Sequence, residues 1–200
     1  QVTIQSVLHG FIEFNPDSNV LAETFFDVYS QDLGLGGYDN MVLKKSELDG
    51  IGFRHYRFQQ VYKGIPVDGG EYLLHARSGI LESANGNLIL GLSIDVNPVI
   101  NEAQALEFVT NSIGSEKYMW QDIANESFIK RIMNDSTATY FPKGELVLHS
   151  ASDTLVPESF LLVYKFDIYS EIPRSPYFVY VDSKTGSVVD KIRDLFTGTT

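Results

Sequence analysis

Two hydrophobic periods take turns along this chain, and each turn-over marks a change of element. Residues 1–16 alternate weakly and stop at Asn15-Pro16, after which Asp17, Ser18 and Asn19 are all suitable helix N-caps. Leu21, Phe25, Val28 and Tyr29 then recur at helical spacing, which predicts a helix over 19–33. Gly34, Gly36 and Gly37 follow where a C-cap belongs. From Met41 the period changes to two. Met41–Lys45 reads as a short strand and Phe53–Tyr62 as a stronger one, with Tyr56, Phe58 and Tyr62 on one face and His55, Arg57 and Gln59 on the other. Lys63-Gly64-Ile65-Pro66 supplies a turn and Val67–Ala76 returns, loosened at Gly69-Gly70. Arg77-Ser78-Gly79 turns again, Ile80–Ala84 is a third strand, Asn85-Gly86 is a tight-turn signal, and Leu88–Ile94 is expected to complete a meander.

The second half begins at Asn97-Pro98. Asn101 with Gln104 has the form of a capping box, and Ala105, Leu106, Val109 and Ile113 make an apolar stripe that ends at Gly114. Residues 116–144 suggest a short helical insertion, closed by Phe141-Pro142-Lys143-Gly144. Strand-like runs follow at Glu145–Ala151, Phe160–Tyr169, Tyr177–Val181 and Ser187–Ile192, the last two separated by the turn Asp182–Gly186. Each half thus reads helix first and antiparallel meander second. The expectation is an α+β protein of two similar subdomains, each a helix packed on a curled antiparallel sheet in a cystatin-like plan, over 1–96 and 97–193.

Composition narrows the function more than the fold. With 15 basic and 26 acidic residues the formal charge is −11, which disfavours nucleic acid and anionic membrane as partners. There is no cysteine, so disulfides, thiol catalysis and thiolate metal sites are excluded. No apolar run approaches the ~20 residues of a membrane span.

A search for reactive constellations returns little. None of His9, His55, His75 and His149 is followed by Glu or by a second His four residues on, so the paired-imidazole zinc helix is absent. His55 and His75 lie on adjacent predicted strands; hydrogen bonding on the strand face accounts for them better than a two-ligand metal site. Gly91-Leu92-Ser93-Ile94-Asp95 lacks the second glycine of a nucleophile elbow. Gly34-Leu35-Gly36-Gly37 follows a helix where a phosphate loop would open one. Asp182–Gly186 holds one acid and a lysine and reads as a turn, not a calcium loop.

One run is specific. His55, Arg57, Phe58-Gln59-Gln60, then Gly64-Ile65-Pro66-Val67, Gly69 and Gly70 resemble the fungalysin/thermolysin propeptide motif, with Asp68 where an apolar or aromatic residue is usual. The second half is similar to a PepSY domain, through Pro98–Phe108, Leu161–Phe166 and Tyr177–Gly186. The resemblance implies the prosegment of a secreted, exported bacterial zinc endopeptidase of the thermolysin type, non-enzymatic itself. It implies an intramolecular chaperone and inhibitor of a cognate catalytic domain in cis. Zinc and calcium would belong to that domain and none to this segment. A free-standing PepSY-like peptide-binding or protease-regulating module is the alternative. Residues 194–200 then read as the start of a linker, with Asp194, Leu195, Phe196, Thr197 and Gly198 as the candidate processing region.

Overall fold

The computed structural model describes residues 10–152 and 154–193, which form two compact units, 10–94 with 152 and 154–160, and 95–151 with 161–193. The fold is α+β. Candidate processing residues Asp194 to Gly198 lie outside the described residues.

In the first unit, β1 (Phe11–Glu13), α1 (Phe25–Tyr29), β2 (Asp39–Leu48), β3 (Phe53–Tyr62), β4 (Ile65–Arg77) and β5 (Ile80–Gly86) follow one another. The strands pair antiparallel in the order β1-β5-β4-β3-β2. One face carries Tyr56, Tyr72, Leu74, Ala76, Leu81 and Ala84, packed under Phe25 and Phe26 of α1. Aromatic edges lock this layer: Phe26 meets Phe58 at 4.8 Å and Phe25 meets Phe14 at 5.7 Å between centroids.

The helix expected over 19–33 is only the five residues of α1. Val20 accepts from Leu81 N–H, Ala22 N–H donates to Gly79, and Leu21 bridges Ile80, so 20–22 runs extended along β5. Sheet pairing captures the backbone there and outbids the helical stripe, two of whose members, Leu21 (53 %) and Val28 (61 %), are exposed. A second expectation also fails. Asn85-Gly86 is not a hairpin turn; both residues belong to β5, opposite Leu73 and Tyr72. Leu88–Ile94 consequently forms no strand, although Ile89 and Leu92 are buried.

In the second unit come α2 (Glu102–Ile113), β6 (Lys117–Tyr118), α3 (Ile123–Ile132), β7 (Glu145–His149), β8 (Leu161–Ile172), β9 (Arg174–Asp182) and β10 (Val188–Arg193). The strands pair antiparallel as β7-β8-β9-β10, with β6 on the same edge of β8 as β7 but at its far end. The capping box forms as the spacing predicts: Asn101 Oδ1 accepts from Gln104 N–H and Gln104 Oε1 from Asn101 N–H, both at 2.9 Å. Ala105 and Val109 of α2 are fully buried against Phe166, Ile168, Val179 and Val181. The insertion over 116–144 contains β6 and α3, and α3 buries none of its side chains completely. The short segment 152–160 returns to the first unit, where Leu155 lies against Gly69.

Candidate functional site

The motif residues gather on the β3–β4 hairpin. Its turn is two residues long, between the facing pair Tyr62 and Ile65, with Lys63 and Gly64 at φ 47° and 85°. A two-residue turn with positive φ at both positions matches the twist of the flanking strands, which is why glycine stands at 64. Pro66 lies opposite Val61 and is exposed, while Ile65 is half-buried. Val67, at the start of the returning run, is fully buried.

The pairing slips between Gln59 and Val61, and the two glutamines fill the slip differently. Gln59 stays on the hairpin surface, and its Nε2 donates to the carbonyls of Val67 (2.7 Å), Gln60 (3.1 Å) and Gly70 (3.1 Å). Gln60 turns inward and is 0 % exposed. Its Nε2 donates to Ile89 O (2.9 Å) and Asp39 Oδ1 (2.8 Å), and its Oε1 accepts from Ile89 N–H (2.8 Å). Alternation is unbroken along β3, so Gln60 keeps the inward face of Tyr56, Phe58 and Tyr62, in the interior of the first unit. Gly70 makes room for it, since a Cβ there would sit 3.0 Å from Gln60 Cβ and Oε1.

Phe58 joins the core layer, and Arg57 on the opposite face donates to Glu71 at 2.6 Å. On that same face His55 and His75 are directly opposite one another, with their Nδ1 atoms 2.7 Å apart. His55 Nε2 meets Asp49 Oδ2 at 3.1 Å and His75 Nε2 meets Asn85 Oδ1 at 2.7 Å. The two histidines do approach each other, and they do so by strand-face hydrogen bonding. Among the described residues no group of three His, Asp or Glu converges as a metal site would require.

Asp49 anchors the other end of this row. Desolvation raises its carboxyl, but bonds from Phe53 N–H, His55 and Ile51 N–H outweigh it and leave the group below the ordinary value. Asp49, Asn85 and Ile89 escaped the sequence reading because each acts through a partner ten or more residues from itself or across a turn, where no local spacing records it. Among the described residues, no helix is long and apolar enough to cross a membrane. Nothing in the hairpin assembles a nucleophile with a base and an oxyanion site.

Residues 39–88, a quarter of the chain, match the family model described as the fungalysin/thermolysin propeptide motif. The match runs from the first residue of β2 to just beyond β5. Among solved structures, the Bacillus megaterium YpeB C-terminal domain aligns with 92% of this chain and 70% of its own, at 13% identity and a TM-score of 0.41.

Proposed function

We propose that this chain is the prosegment of a secreted thermolysin-like zinc endopeptidase, serving as chaperone and inhibitor of a catalytic domain in the same precursor. The carrying observation is the propeptide-motif match over 39–88. Its most specific residues, Phe58-Gln59-Gln60 and Gly64 to Gly70, build the bulged hairpin and its support. Residues 97–193 act in this reading as a PepSY-type companion, and cleavage within 194–198 starts activation. Zinc and calcium sit in the catalytic domain, and the chain itself turns over no substrate. Its formal net charge of −11 is compatible with a protein partner and with export, and disfavours nucleic acid.

Two physical effects support the role. Tethering gives a linked inhibitor an effective concentration around the millimolar range, so modest intrinsic affinity blocks the cleft until the linker is cut. A partner that binds a folding intermediate better than the unfolded chain lowers the route to a kinetically stable protease.

The first test is the reading frame beyond Thr200, where a His-Glu-x-x-His and a downstream Glu are expected. The second is inhibition: the purified chain added to that catalytic domain should reduce peptide hydrolysis in proportion to dose. It should also raise the recovery of activity after refolding from denaturant. A frame encoding no peptidase would overturn the cis arrangement and favour a free-standing regulatory module. A chain that neither inhibits nor assists refolding would overturn the chaperone-inhibitor role.

A further inference from the structure

We infer that the chain pairs with a second copy of itself through its second unit, each copy laying the outer face of α3 into the groove beside α2 of the other. The helix is one half of the contact. Its ten residues are fewer than the about 12–15 that a helix needs to stand alone in water, so its surroundings must hold it. They hold it through polar groups: Asp122 Oδ1 accepts from Ala124 N–H at 2.8 Å, and Glu126 Oε1 accepts from Tyr140 N–H at 2.8 Å. The apolar side chains of α3 are not spent on that task, for none is completely buried. Phe128 is 45 % exposed and Ile132, one turn on, is 61 % exposed. Arg131 lies over the Phe128 ring at 5.6 Å, and Lys130 adds a second cation to this last turn. Asp135, the next carboxylate along the chain, turns back to accept from the N–H and hydroxyl of Thr137. The outer face of α3 thus presents an aromatic and an aliphatic side chain beside cations.

The groove is the other half. It lies between α2 and residues 115–121 and has a volume of about 830 Å³. Leu106, Tyr118, Trp120 and Phe141 give it an apolar lining. Trp120 stacks on Tyr118 at 4.3 Å and meets Phe141 edge-on at 6.0 Å between centroids, which fixes the aromatic wall in place. Glu107 and Glu116 also line the groove, and both are exposed. Among the described residues no lysine or arginine lines it. Lys117, beside Glu116 in the chain, is engaged by Asp122 and Glu171. An aromatic groove edged by carboxylates fits an apolar side chain flanked by a cation, and the Phe128, Arg131 and Ile132 face of α3 is such a surface.

A formal charge of −11 sets copies of this chain against one another in general, so they can meet only where charge is locally matched. The end of α3 and the groove beside α2 supply that match. A two-fold axis lets each copy give one helix and receive one, which covers both helices and both grooves; an open-ended array would leave one of each bare at its ends. The pairing concerns a different partner from the prosegment role and does not depend on it.

The test is sedimentation equilibrium of the intact chain from about 10 to 1,000 µM, a span suited to the weak end of specific interfaces. A reversible monomer–dimer equilibrium is expected. The emission of Trp120, the one tryptophan of the sequence, should shift to the blue as the pair forms. Arg131→Glu and Glu107→Arg should each weaken self-association at least ~10-fold, since like charges then oppose. Both positions are exposed, so both variants keep the fold, which circular dichroism checks. Mixed in equal amounts, the two variants should pair again: the reversed helix of one meets the reversed groove of the other, and the second contact is native. A wild-type chain that stays monomeric across the range overturns the inference. So does association that leaves Trp120 emission unchanged, a mass that grows beyond two copies, or a mixture of variants that pairs no better than either alone.

Discussion

Gln60 and Ile89 are joined as two strands would be: Ile89 N–H donates to Gln60 Oε1 at 2.8 Å, and Gln60 Nε2 returns a bond to Ile89 O at 2.9 Å. The segment after β5 has no ladder of its own at this point, so one buried side-chain amide substitutes for a neighbouring strand. Gln60→Leu keeps the volume and deletes the bonds, leaving the buried N–H and C=O of Ile89 unpaired. The expected loss is about 3 kcal/mol of unfolding free energy, read by urea denaturation, because each orphaned buried group costs roughly 1–3 kcal/mol. Hydrogen exchange at the Ile89 amide should accelerate as well. A loss below about 1 kcal/mol would show that the amide is not what holds this segment.

Gly69 and Gly70 are adjacent glycines with different reasons. A Cβ at Gly70 would meet Gln60 Cβ and Oε1 at 3.0 Å and Val67 O at 3.1 Å. At Gly69 it would touch only Leu155, at 3.4 and 3.5 Å, but the backbone has φ +78°. Gly69→Ala should therefore cost about 1–2 kcal/mol through left-handed backbone. Gly70→Ala should cost about 1–3 kcal/mol by crowding. The discriminating measurement is coupling to Gln60: in a double-mutant cycle with Gln60→Ala, the Gly70 penalty should shrink and the Gly69 penalty should not.

Asp95 opens the second unit and accepts from Lys184 Nζ at 2.5 Å and from Asn97. The lysine, first, and then the asparagine hold its carboxyl down to about 2. A depressed carboxylate contributes stability above its unfolded value of ~3.9 and surrenders it as pH falls toward the folded one. Asp95 should titrate near pH 2 by carboxyl-carbon NMR, and Lys184→Ala should move that midpoint up toward ~3.9. An unmoved midpoint would assign the shift to Asn97 instead.

Asn101 caps α2 with both bonds of its box formed at 2.9 Å. Asn101→Ala should destabilise the second unit by about 1 kcal/mol, and Asn101→Asp should restore most of it, because an aspartate accepts from the same N–H and suits the helix dipole. Thermal unfolding of the two variants measures this. Equal loss in both would point to the backbone, not the cap.

How much of this was legible from the chain depends on how far each interaction reaches. Phe53–Tyr62 has the bounds that its alternation predicts, since one face is core and one is not. The box at Asn101 and Gln104 is a three-residue signal and forms as such. The approach of His55 to His75 follows from placing both on adjacent strands. Asn85-Gly86, by contrast, carries a turn signature for a reason unrelated to turning. A Cβ at Gly86 would lie 2.2 Å from Glu71 O, so glycine is required by close approach to β4, and Asn85 is retained by His75. The helix expected over 19–33 shrank because the edge of β5 offered residues 20–22 backbone partners that no helical stripe records.

Sequence by itself determined the strand Phe53–Tyr62, the α2 cap and the hairpin bearing Phe58-Gln59-Gln60, although the turn expected over Lys63 to Pro66 closes within Lys63-Gly64. All of these are set by side-chain period and by φ preferences within a few residues. Tertiary structure alone decided that Gln60 bonds Ile89 and Asp39, that residues 87–94 lie as a splinted segment and not a strand, and that Asp49 and Asn85 close the histidine row. Those outcomes rest on the extra residues that β4 inserts opposite Gln60, between the pairs Gln59–Glu71 and Val61–Pro66, and on partners up to 29 positions away (Gln60 to Ile89). Local pattern holds no record of where such an insertion falls or of which distant backbone it brings into reach.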